Sequence, residues 1–424
     1  MGTPVNIALF SWEYPPQIVG GLGTYTFELS REIVKRGHSL SVFTMNSGSL
    51  KTRELTDGIE IHRPKLIDIA DALPEFQTEE FRRTGTAAGF FSDILMYNIL
   101  ASAKMVNELI AEEGRRFDIV SVHDWLSSIA GISIKKATGI PMVFHIHSTE
   151  KGRSLGNGSR IISELELKAS RAADRIITVS HAMRDELVSY GFPREKIEVV
   201  WNGVNPGKYS AAALPPEGIK LLRANYGITD EMQMILFIGR LTAVKGIDRL
   251  IMAMPQVFAR NPSAKLVVVG RGDLECELPE LARSLGITEK VSFNFTMLPE
   301  PDRILHYAAA DVATFPSLYE PFGIVALEAM SMGKPVVVGA RGVSGMREIV
   351  VASGPNQCGY HINPYDPNDI AWGLNSLLSD KAHMQLLGRN ARERVISEFT
   401  WDKVGERCLS IYREVLDSAK TAKS

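Results

Sequence analysis

The chain has 424 residues, of which 45% are hydrophobic and 23% are charged, and its formal net charge at pH 7 is -2. This length exceeds what a single hydrophobic core normally supports, so we expect two domains. The balanced charge lacks the basic bias of a nucleic-acid-binding protein, and three scattered cysteines form neither a disulfide framework nor a zinc motif. These features favour a reduced, cytoplasmic protein.

The N-terminal residues lead directly into an apolar segment, without the basic and apolar regions of a secretory leader. No apolar run approaches the ~18 residues that span a membrane. We therefore expect no signal peptide and no transmembrane segment. The oligomeric state is left open.

Short, β-branched segments alternate with longer helical patterns along the whole chain. Because each short segment is almost continuously apolar, it is typical of a strand in a parallel sheet covered by helices on both faces. The alternation predicts two doubly wound, Rossmann-like α/β domains. The predicted strands are Asn6–Ser11, Ser39–Thr44, Phe117–Val122, Pro141–Ile146, Arg175–Val179, Ile197–Trp201, Met234–Gly239, Lys265–Gly270, Val291–Phe295, Val312–Phe315 and Pro335–Val338.

The connecting segments set the predicted domain boundaries. A stretch with three prolines and two glycines, Asn205–Gly218, is the expected linker. The domains then cover residues 1–205 and 206–400, and a C-terminal helix covers 401–424. Residues 148–160 are polar and glycine-rich, which predicts a loop.

A glycine cluster, Gly20-Gly21-Leu22-Gly23, follows the first predicted strand and opens a helix. Glycine lets the backbone approach a ligand closely, and the free amides at a helix start attract anions or sugar hydroxyls. The spacing is not a dinucleotide fingerprint, because Thr26 occupies the position of its third glycine.

Two cations, Arg240 and Lys245, follow the first strand of the second half, in the segment Gly239-Arg-Leu241 to Lys245-Gly246. The carboxyl ends of parallel strands are where open α/β sheets bind ligands. Arginine presents a fork of donors that matches a phosphate, and lysine adds a point charge. The pair could hold a diphosphate, although two solvated surface cations would give the same spacing.

The most informative segment runs from Glu320 to Glu328, after the strand Val312–Phe315. Pro321 and Gly323 predict a defined turn, and Ile324–Met332 predicts a short buried helix. The amides of residues 322–325 would then point toward one bound group. A carboxylate inside an otherwise apolar helix is difficult to explain by packing alone.

Histidines follow two central strands of the first half, in His123-Asp124-Trp125 and His145-Ile146-His147. Alternation places His145 and His147 on the same face, so we expect at most one of them to reach a ligand. There is no Asp-x-Asp string and no His/Cys metal spacing, so we predict a site that uses neither a metal nor another cofactor.

The ordered set of motifs resembles the retaining glycosyltransferases with the two-domain GT-B fold. Glu320 to Glu328 is similar to their Glu-x7-Glu motif, and the other segments resemble the glycogen/starch synthases and the sucrose synthases. Those segments are Ser11-Trp-Glu-Tyr-Pro-Pro16 with Gly20–Gly23, His123–Trp125, His147, Thr178–Ser180, Asn202–Val204, Gly239–Leu241 with Lys245-Gly246, and Phe399–Trp401.

The resemblance implies two domains facing a cleft, with the last helix crossing back to the first domain. It implies transfer of a hexose, first of all glucose from UDP- or ADP-glucose, to a hydroxyl of a carbohydrate acceptor. The implied catalytic residues are His147, which contacts the 6-hydroxyl, Glu320, near the 3-hydroxyl, and Arg240 and Lys245, on the diphosphate. The implied donor-binding residues are Gly21, Phe322, Gly323, Ile324, Val325 and Glu328, the last on the ribose, and Asp124 lines the acceptor side.

One departure weakens any narrower assignment. Bacterial and plant glycogen/starch synthases carry lysine in a Lys-x-Gly-Gly-Leu motif, and this chain has Ile18 there. A mannosyl- or other hexosyltransferase acting on a small molecule or a lipid is therefore an alternative. Two alternatives have a function other than glycosyl transfer. They are a nucleotide-sugar 2-epimerase and a non-catalytic sugar-nucleotide sensor.

Overall fold

The computed structural model describes residues 3–66 and 88–421. They form two compact units, of which the first comprises Met1–Trp201 with Trp401–Ser424 and the second comprises Asn202–Thr400. The C-terminal helix thus belongs to the first unit, as the resemblance implies. The structure divides the units after Trp201, a few residues before the division predicted from the sequence.

The first unit is built on an eight-stranded sheet with the order β3-β4-β2-β1-β5-β6-β7-β8. All neighbouring strands are parallel except β3 and β4, which are antiparallel. The strands are β1 Asn6–Phe10, β2 Ser39–Phe43, β3 Arg53–Thr56, β4 Ile59–His62, β5 Ile119–His123, β6 Met142–Ile146, β7 Arg175–Thr178 and β8 Ile197–Val199.

Helices alternate with these strands, and the last helix packs on the first. They are α1 Gly21–Lys35, α2 Ala88–Ala103, α3 Ser128–Thr138, α4 Glu150–Arg153, α5 Arg160–Ala172, α6 His181–Ser189 and, at the C-terminus, α15 Trp401–Thr421. A π-helical stretch, Lys104–Glu112, continues α2.

One helical stretch in the described residues, Phe90–Glu112, has the length and mean hydropathy (1.2) of a membrane span. The absence of a transmembrane segment stays a prediction, because length and hydropathy alone do not distinguish a membrane span from a core helix. Ile94, Tyr97 and Met105 are at most 1% exposed, so this helix contributes to the core of the first unit. Core helices of soluble proteins pass the same test, which makes the stretch weak evidence for membrane insertion.

The second unit contains a six-stranded, fully parallel sheet with the order β11-β10-β9-β12-β13-β14. Its strands are β9 Gln233–Ile238, β10 Ala264–Val269, β11 Val291–Asn294, β12 Val312–Phe315, β13 Val336–Gly339 and β14 Gly359–Ile362. Its helices are α7 Pro216–Asn225, α8 Ile247–Arg260, α9 Glu277–Ser284, α10 Glu300–Ala309, α11 Ile324–Ser331, α12 Met346–Ile349, α13 Pro367–Leu378 and α14 Lys381–Glu398.

The core of the second unit joins its sheet to helices packed against it. Ile235 of β9, Leu250 of α8 and Leu374 of α13 are completely buried in one apolar cluster. Burial of this kind stabilises a unit by about 25 cal/mol per Å² of apolar surface. It also fixes the positions of the strand ends that carry the candidate site.

All eleven predicted strands are present, with ends shifted by at most two residues. The linker prediction is wrong, and the loop prediction holds for most of its residues. The expected linker, residues 205–218, packs within the second unit, because Tyr209 is 3% exposed and donates a hydrogen bond to Glu328. The expected loop at 148–160 contains α4, because the Thr149 side chain caps this helix by accepting the Gly152 amide at 3.0 Å.

Candidate active site

The sheet of the second unit changes direction between β9 and β12, which are neighbours although three helices and two strands separate them in sequence. Such a switch point leaves a crevice at the carboxyl ends of the two strands. Arg240 and Lys245 follow β9, and Glu320 follows β12. The topology therefore brings together the two segments that the sequence predicted to bind a ligand.

Two glycines shape these loops. Gly246 has φ of 65°, and a Cβ atom there would lie 2.1 Å from the carbonyl oxygen of Pro316. Gly323 has φ of 103°, and its Cβ atom would lie 2.6 Å from the terminal methyl of Met346. At Gly323 it is the backbone angle that favours glycine. At Gly246 neither the backbone angle nor the space admits another residue, so the loops after β9 and β12 are held in close contact. The Leu318 amide donates to the Val244 carbonyl at 2.8 Å across that contact.

Lys245 and Glu320 form an ion pair, with Nζ 2.5 Å from Oε2. The Ser317 hydroxyl donates to the same carboxylate oxygen at 3.3 Å. The side chains of Lys245 and Glu320 are 19% and 11% exposed, so water screens the pair incompletely. One proposed donor-binding cation is thus held against the carboxylate predicted to contact the transferred sugar.

Arg240 is exposed, and no ion pair or side-chain hydrogen bond engages it within residues 3–66 and 88–421. An exposed guanidinium carries five donors and keeps its charge at every physiological pH. The contrast with Lys245 is informative, because Arg240 is available to an incoming anion without first breaking an internal pair.

Helix α11 starts directly after this loop, with Gly323 as its N-cap residue. The first amides of a helix lack a carbonyl one turn behind them, and the helix dipole makes this end electropositive. Ile324 and Val325 are partly exposed, whereas Phe322 is buried. An anion at this helix end gains roughly 0.3–1 kcal/mol, and about 2 kcal/mol when it is partly buried.

Glu328 lies one turn further along α11 and is engaged by protein groups. Its Oε1 accepts from the Tyr209 hydroxyl at 2.8 Å and from Arg303 at 3.3 Å, and its Oε2 accepts from the Tyr307 hydroxyl at 2.8 Å. The residue is 5% exposed. A ribose hydroxyl that binds Glu328 would have to use a remaining lone pair of the carboxylate or displace one of these three donors. The sequence did not predict that protein groups already engage this carboxylate.

The first unit has its own switch point between β1 and β5. Gly21 follows β1 as the first residue of α1 and is exposed. The amides around it are partly occupied, because Glu13 Oε2 accepts from Val19 at 3.0 Å, from Gly20 at 3.1 Å and from Gly23 at 3.3 Å. A carboxylate of the protein thus holds the glycine loop, and the Gly21 amide is not among its donors.

The histidines at the carboxyl ends of β5 and β6 form one stack. The rings of His123 and His145 are 4.3 Å apart, and those of His123 and His147 are 5.5 Å apart. Burial lowers the pKa of His123 and His145 well below the ordinary value and lowers that of His147 to about 3. All three rings are therefore neutral near pH 7. His147 is the partly exposed member of the pair, and His145 is completely buried. Contact of His147 with a ligand stays a prediction.

Asp124 does not extend toward solvent. It has φ of 54°, is 5% exposed, and its Oδ1 accepts the backbone amide of His147 at 2.8 Å. Burial raises the pKa of this carboxyl to about 6. In the structure Asp124 thus contacts the backbone of His147. Its contact with an acceptor stays a prediction.

Comparison with known proteins agrees with this geometry. Residues 219–394 match the family model "Glycosyl transferases group 1", and residues 19–208 match "Glycosyltransferase Family 4". An uncharacterised glycosyltransferase of Methanocaldococcus jannaschii is 34% identical over 97% of this chain and 99% of its own length. The chain belongs to the group 1 glycosyltransferases.

Two further relatives of this glycosyltransferase have names with a stated activity. A glycogen synthase of Mycobacterium tuberculosis is 30% identical over 96% of the chain and 94% of its own length. The solved structure of a sucrose-phosphate synthase from Thermosynechococcus elongatus has a TM-score of 0.75 at 22% identity, covering 98% of this chain and 100% of that one. The latter likeness establishes the GT-B fold.

The glycosyltransferase has polar residues near its site that its sequence did not single out. Tyr209, Arg303 and Tyr307 surround Glu328, and Glu13 holds the glycine loop. Of these four residues, only Glu13 could have been found from the sequence, because it belongs to the motif Ser11–Pro16 that precedes the glycines. Among the described residues, no group of three or more His, Cys, Asp or Glu side chains could hold a metal ion. Whether a metal takes part stays a prediction.

A buried carboxyl on α5 predicts a pH-dependent stability for this glycosyltransferase. Glu166 is 4% exposed, accepts the Glu150 amide at 2.9 Å, and has its pKa raised to about 8 by burial. The folded state therefore binds this proton more tightly than the unfolded state, whose pKa is 4.5. The resulting stabilisation is present below pH 4.5 and is lost as pH rises through 8.

We expect Glu166→Gln to have the wild-type Tm near pH 5 and a higher Tm near pH 9. At pH 9 its free energy of unfolding should exceed that of the wild type by on the order of a few kcal/mol. Thermal denaturation across this range measures the difference. Glu164→Gln, on an exposed side chain of the same helix, is the matched control. Parallel Tm curves for Glu166→Gln and the wild type would contradict the assignment.

Proposed function

We propose that this chain is a retaining hexosyltransferase that moves a hexose, in the first place glucose from UDP- or ADP-glucose, to a hydroxyl of a carbohydrate acceptor. The observation that carries the proposal is the arrangement at the switch point of the second unit. There the Lys245–Glu320 pair and Arg240, which has no partner among the described residues, follow two neighbouring strands, and α11 starts beside them. The glycogen synthase relative supports the choice of glucose.

The proposed chemistry is electrostatic. As the bond between the hexose and the diphosphate breaks, negative charge grows on the phosphate oxygen. Arg240, Lys245 and the amides of α11 stabilise that charge because they are already in place before the reaction. Cationic side chains and a helix end thereby serve where a metal ion would otherwise act, so we expect no metal requirement.

Retention follows if the acceptor attacks the face from which the diphosphate leaves. The departing phosphate oxygen takes the acceptor's proton, and the sugar passes through an oxocarbenium-like transition state. Glu320 contacts the transferred sugar near its 3-hydroxyl, and His147 contacts its 6-hydroxyl. Gly21 lies on the diphosphate, Glu328 on the ribose and Asp124 on the acceptor side.

The first experiment is a thermal-shift panel with UDP-, ADP- and GDP-linked glucose and mannose. A ligand that binds only the folded state raises the apparent stability, by about 2.7 kcal/mol at 100 times Kd. We expect a glucose nucleotide to give the largest shift. The glucosyl donor would be rejected if no sugar nucleotide raised the stability, or if GDP-mannose alone did so.

Turnover then separates transfer from the rival activities. We expect release of nucleoside diphosphate that depends on a glucan or another carbohydrate acceptor, with an α-linked product. Conversion of the sugar nucleotide in the absence of any acceptor would instead identify an epimerase. Binding without turnover with any acceptor would identify a sensor.

A further inference from the structure

The stacked histidines belong to a continuous buried chain of hydrogen bonds that reaches the C-terminal helix. His147 Nε2 lies 3.2 Å from His123 Nδ1, and His123 Nε2 lies 3.1 Å from the Ser121 hydroxyl. The Ser121 hydroxyl lies 2.8 Å from that of Tyr412, which lies 2.9 Å from His145 Nε2. His145 Nδ1 and Cys408 Sγ each lie 3.3 Å from the Tyr25 hydroxyl.

Every group between the two ends of this chain has two partners and one proton. A neutral imidazole donates from one nitrogen and accepts at the other, and each hydroxyl has a single hydrogen to donate. The three rings are neutral because burial lowers their pKa values. Since unsatisfied buried polar groups are costly, all six bonds must run in the same direction.

The two possible directions differ at His147. If the protons point from His147 toward Cys408, the outer nitrogen of His147, Nδ1, accepts. If they point from Cys408 toward His147, Nδ1 carries the proton. In the first direction two ring nitrogens accept within the chain, His123 Nδ1 from His147 and His145 Nε2 from Tyr412. In the second direction three accept, because Tyr25 donates to His145, Ser121 donates to His123 and His123 donates to His147. Ring nitrogens are strong acceptors, so the second direction is favoured.

We propose that Tyr412 and Ser121 are positioning residues that hold His147 as the Nδ1–H tautomer, so that its outer nitrogen donates a hydrogen bond to the substrate. Helix α15 therefore contributes to the site of the first unit by setting the direction of this chain, in addition to packing on α1. The benefit for transfer rests on the proposed function, whereas the tautomer itself does not.

The tautomer is tested by ¹⁵N NMR of protein labelled at its nine histidines. The signal of His147 is assigned by its loss in His147→Gln. We expect the wild-type spectrum to show protonated Nδ1 and unprotonated Nε2 at this residue. Tyr412→Phe and Ser121→Ala each interrupt the chain and should give mixed tautomers, and Ser121→Thr should restore the wild-type pattern. Ser418→Ala, on an exposed part of the same helix, is the control and should leave the spectrum unchanged.

Kinetics provide the second readout. We expect Tyr412→Phe to lower kcat about 10-fold while leaving the donor KM unchanged, because only the orientation of a donor is lost. A wild-type His147 with protonated Nε2, or tautomers that do not respond to either interruption, would overturn the inference. Ordered tautomers in a protein without nucleotide-sugar turnover would instead reject the proposed function alone.

Discussion

Arg240→Ala is expected to lower kcat for sugar transfer by about 100- to 1,000-fold, the usual loss when one preorganised donor to a developing charge is removed. The folded protein should be unaffected, because Arg240 is exposed and engages no described side chain. Steady-state transfer assays together with thermal denaturation measure the two effects separately.

The matched control is Arg260→Ala, which removes another exposed arginine at the far end of α8. We expect this variant to retain wild-type kcat. The phosphate role of Arg240 fails if Arg240→Ala turns over at the wild-type rate, or if both variants lose activity equally through a general change in surface charge.

Glu320→Gln is expected to reduce transfer by at least about 100-fold, because it removes the carboxylate proposed to contact the hexose. The substitution preserves the shape of the side chain and an acceptor for Ser317 and Lys245, so the loss should exceed any effect on folding. Donor binding should persist, since the cations and the start of α11 remain. Transfer assays and donor titration with the purified variant measure both quantities.

Ser317→Ala provides the comparison for Glu320. It removes the hydrogen bond to the carboxylate but leaves the charge and its pair with Lys245 in place. We expect Ser317→Ala to lose much less activity than Glu320→Gln. Normal transfer by Glu320→Gln with an unaltered donor KM would exclude the assigned contact.

Much of the architecture could be predicted because buried parallel strands are almost continuously apolar. Three strands escaped prediction because they lack that pattern, and one of them, β4 (Ile59–His62), alternates apolar and polar residues. β3, Arg53–Thr56, is an exposed edge strand with two charged residues, and β14, Gly359–Ile362, is short and contains His361. Such strands can be identified only from the neighbouring strands with which they pair, and that pairing leaves no local pattern in the sequence.

The candidate site could be predicted where its residues are adjacent in sequence, as in Glu320 to Glu328. It could not be predicted where partners are distant. Tyr209 lay in an apparent linker, and its bond to Glu328 joins residues 119 positions apart. Tyr412 bonds to His145 across 267 positions, and its helical spacing indicated only a packed face. Periodicity reports which side of a helix is buried, but not which polar group it meets there.

The central claim is that Arg240, Lys245 and the start of α11 bind a pyrophosphate. A crystal structure with the nucleotide sugar that gives the largest thermal shift tests it most directly. We expect the phosphate oxygens within hydrogen-bonding distance of the Arg240 guanidinium, Lys245 Nζ and the amides of Ile324 and Val325. A well-ordered nucleotide whose phosphates lie away from these groups would contradict the claim.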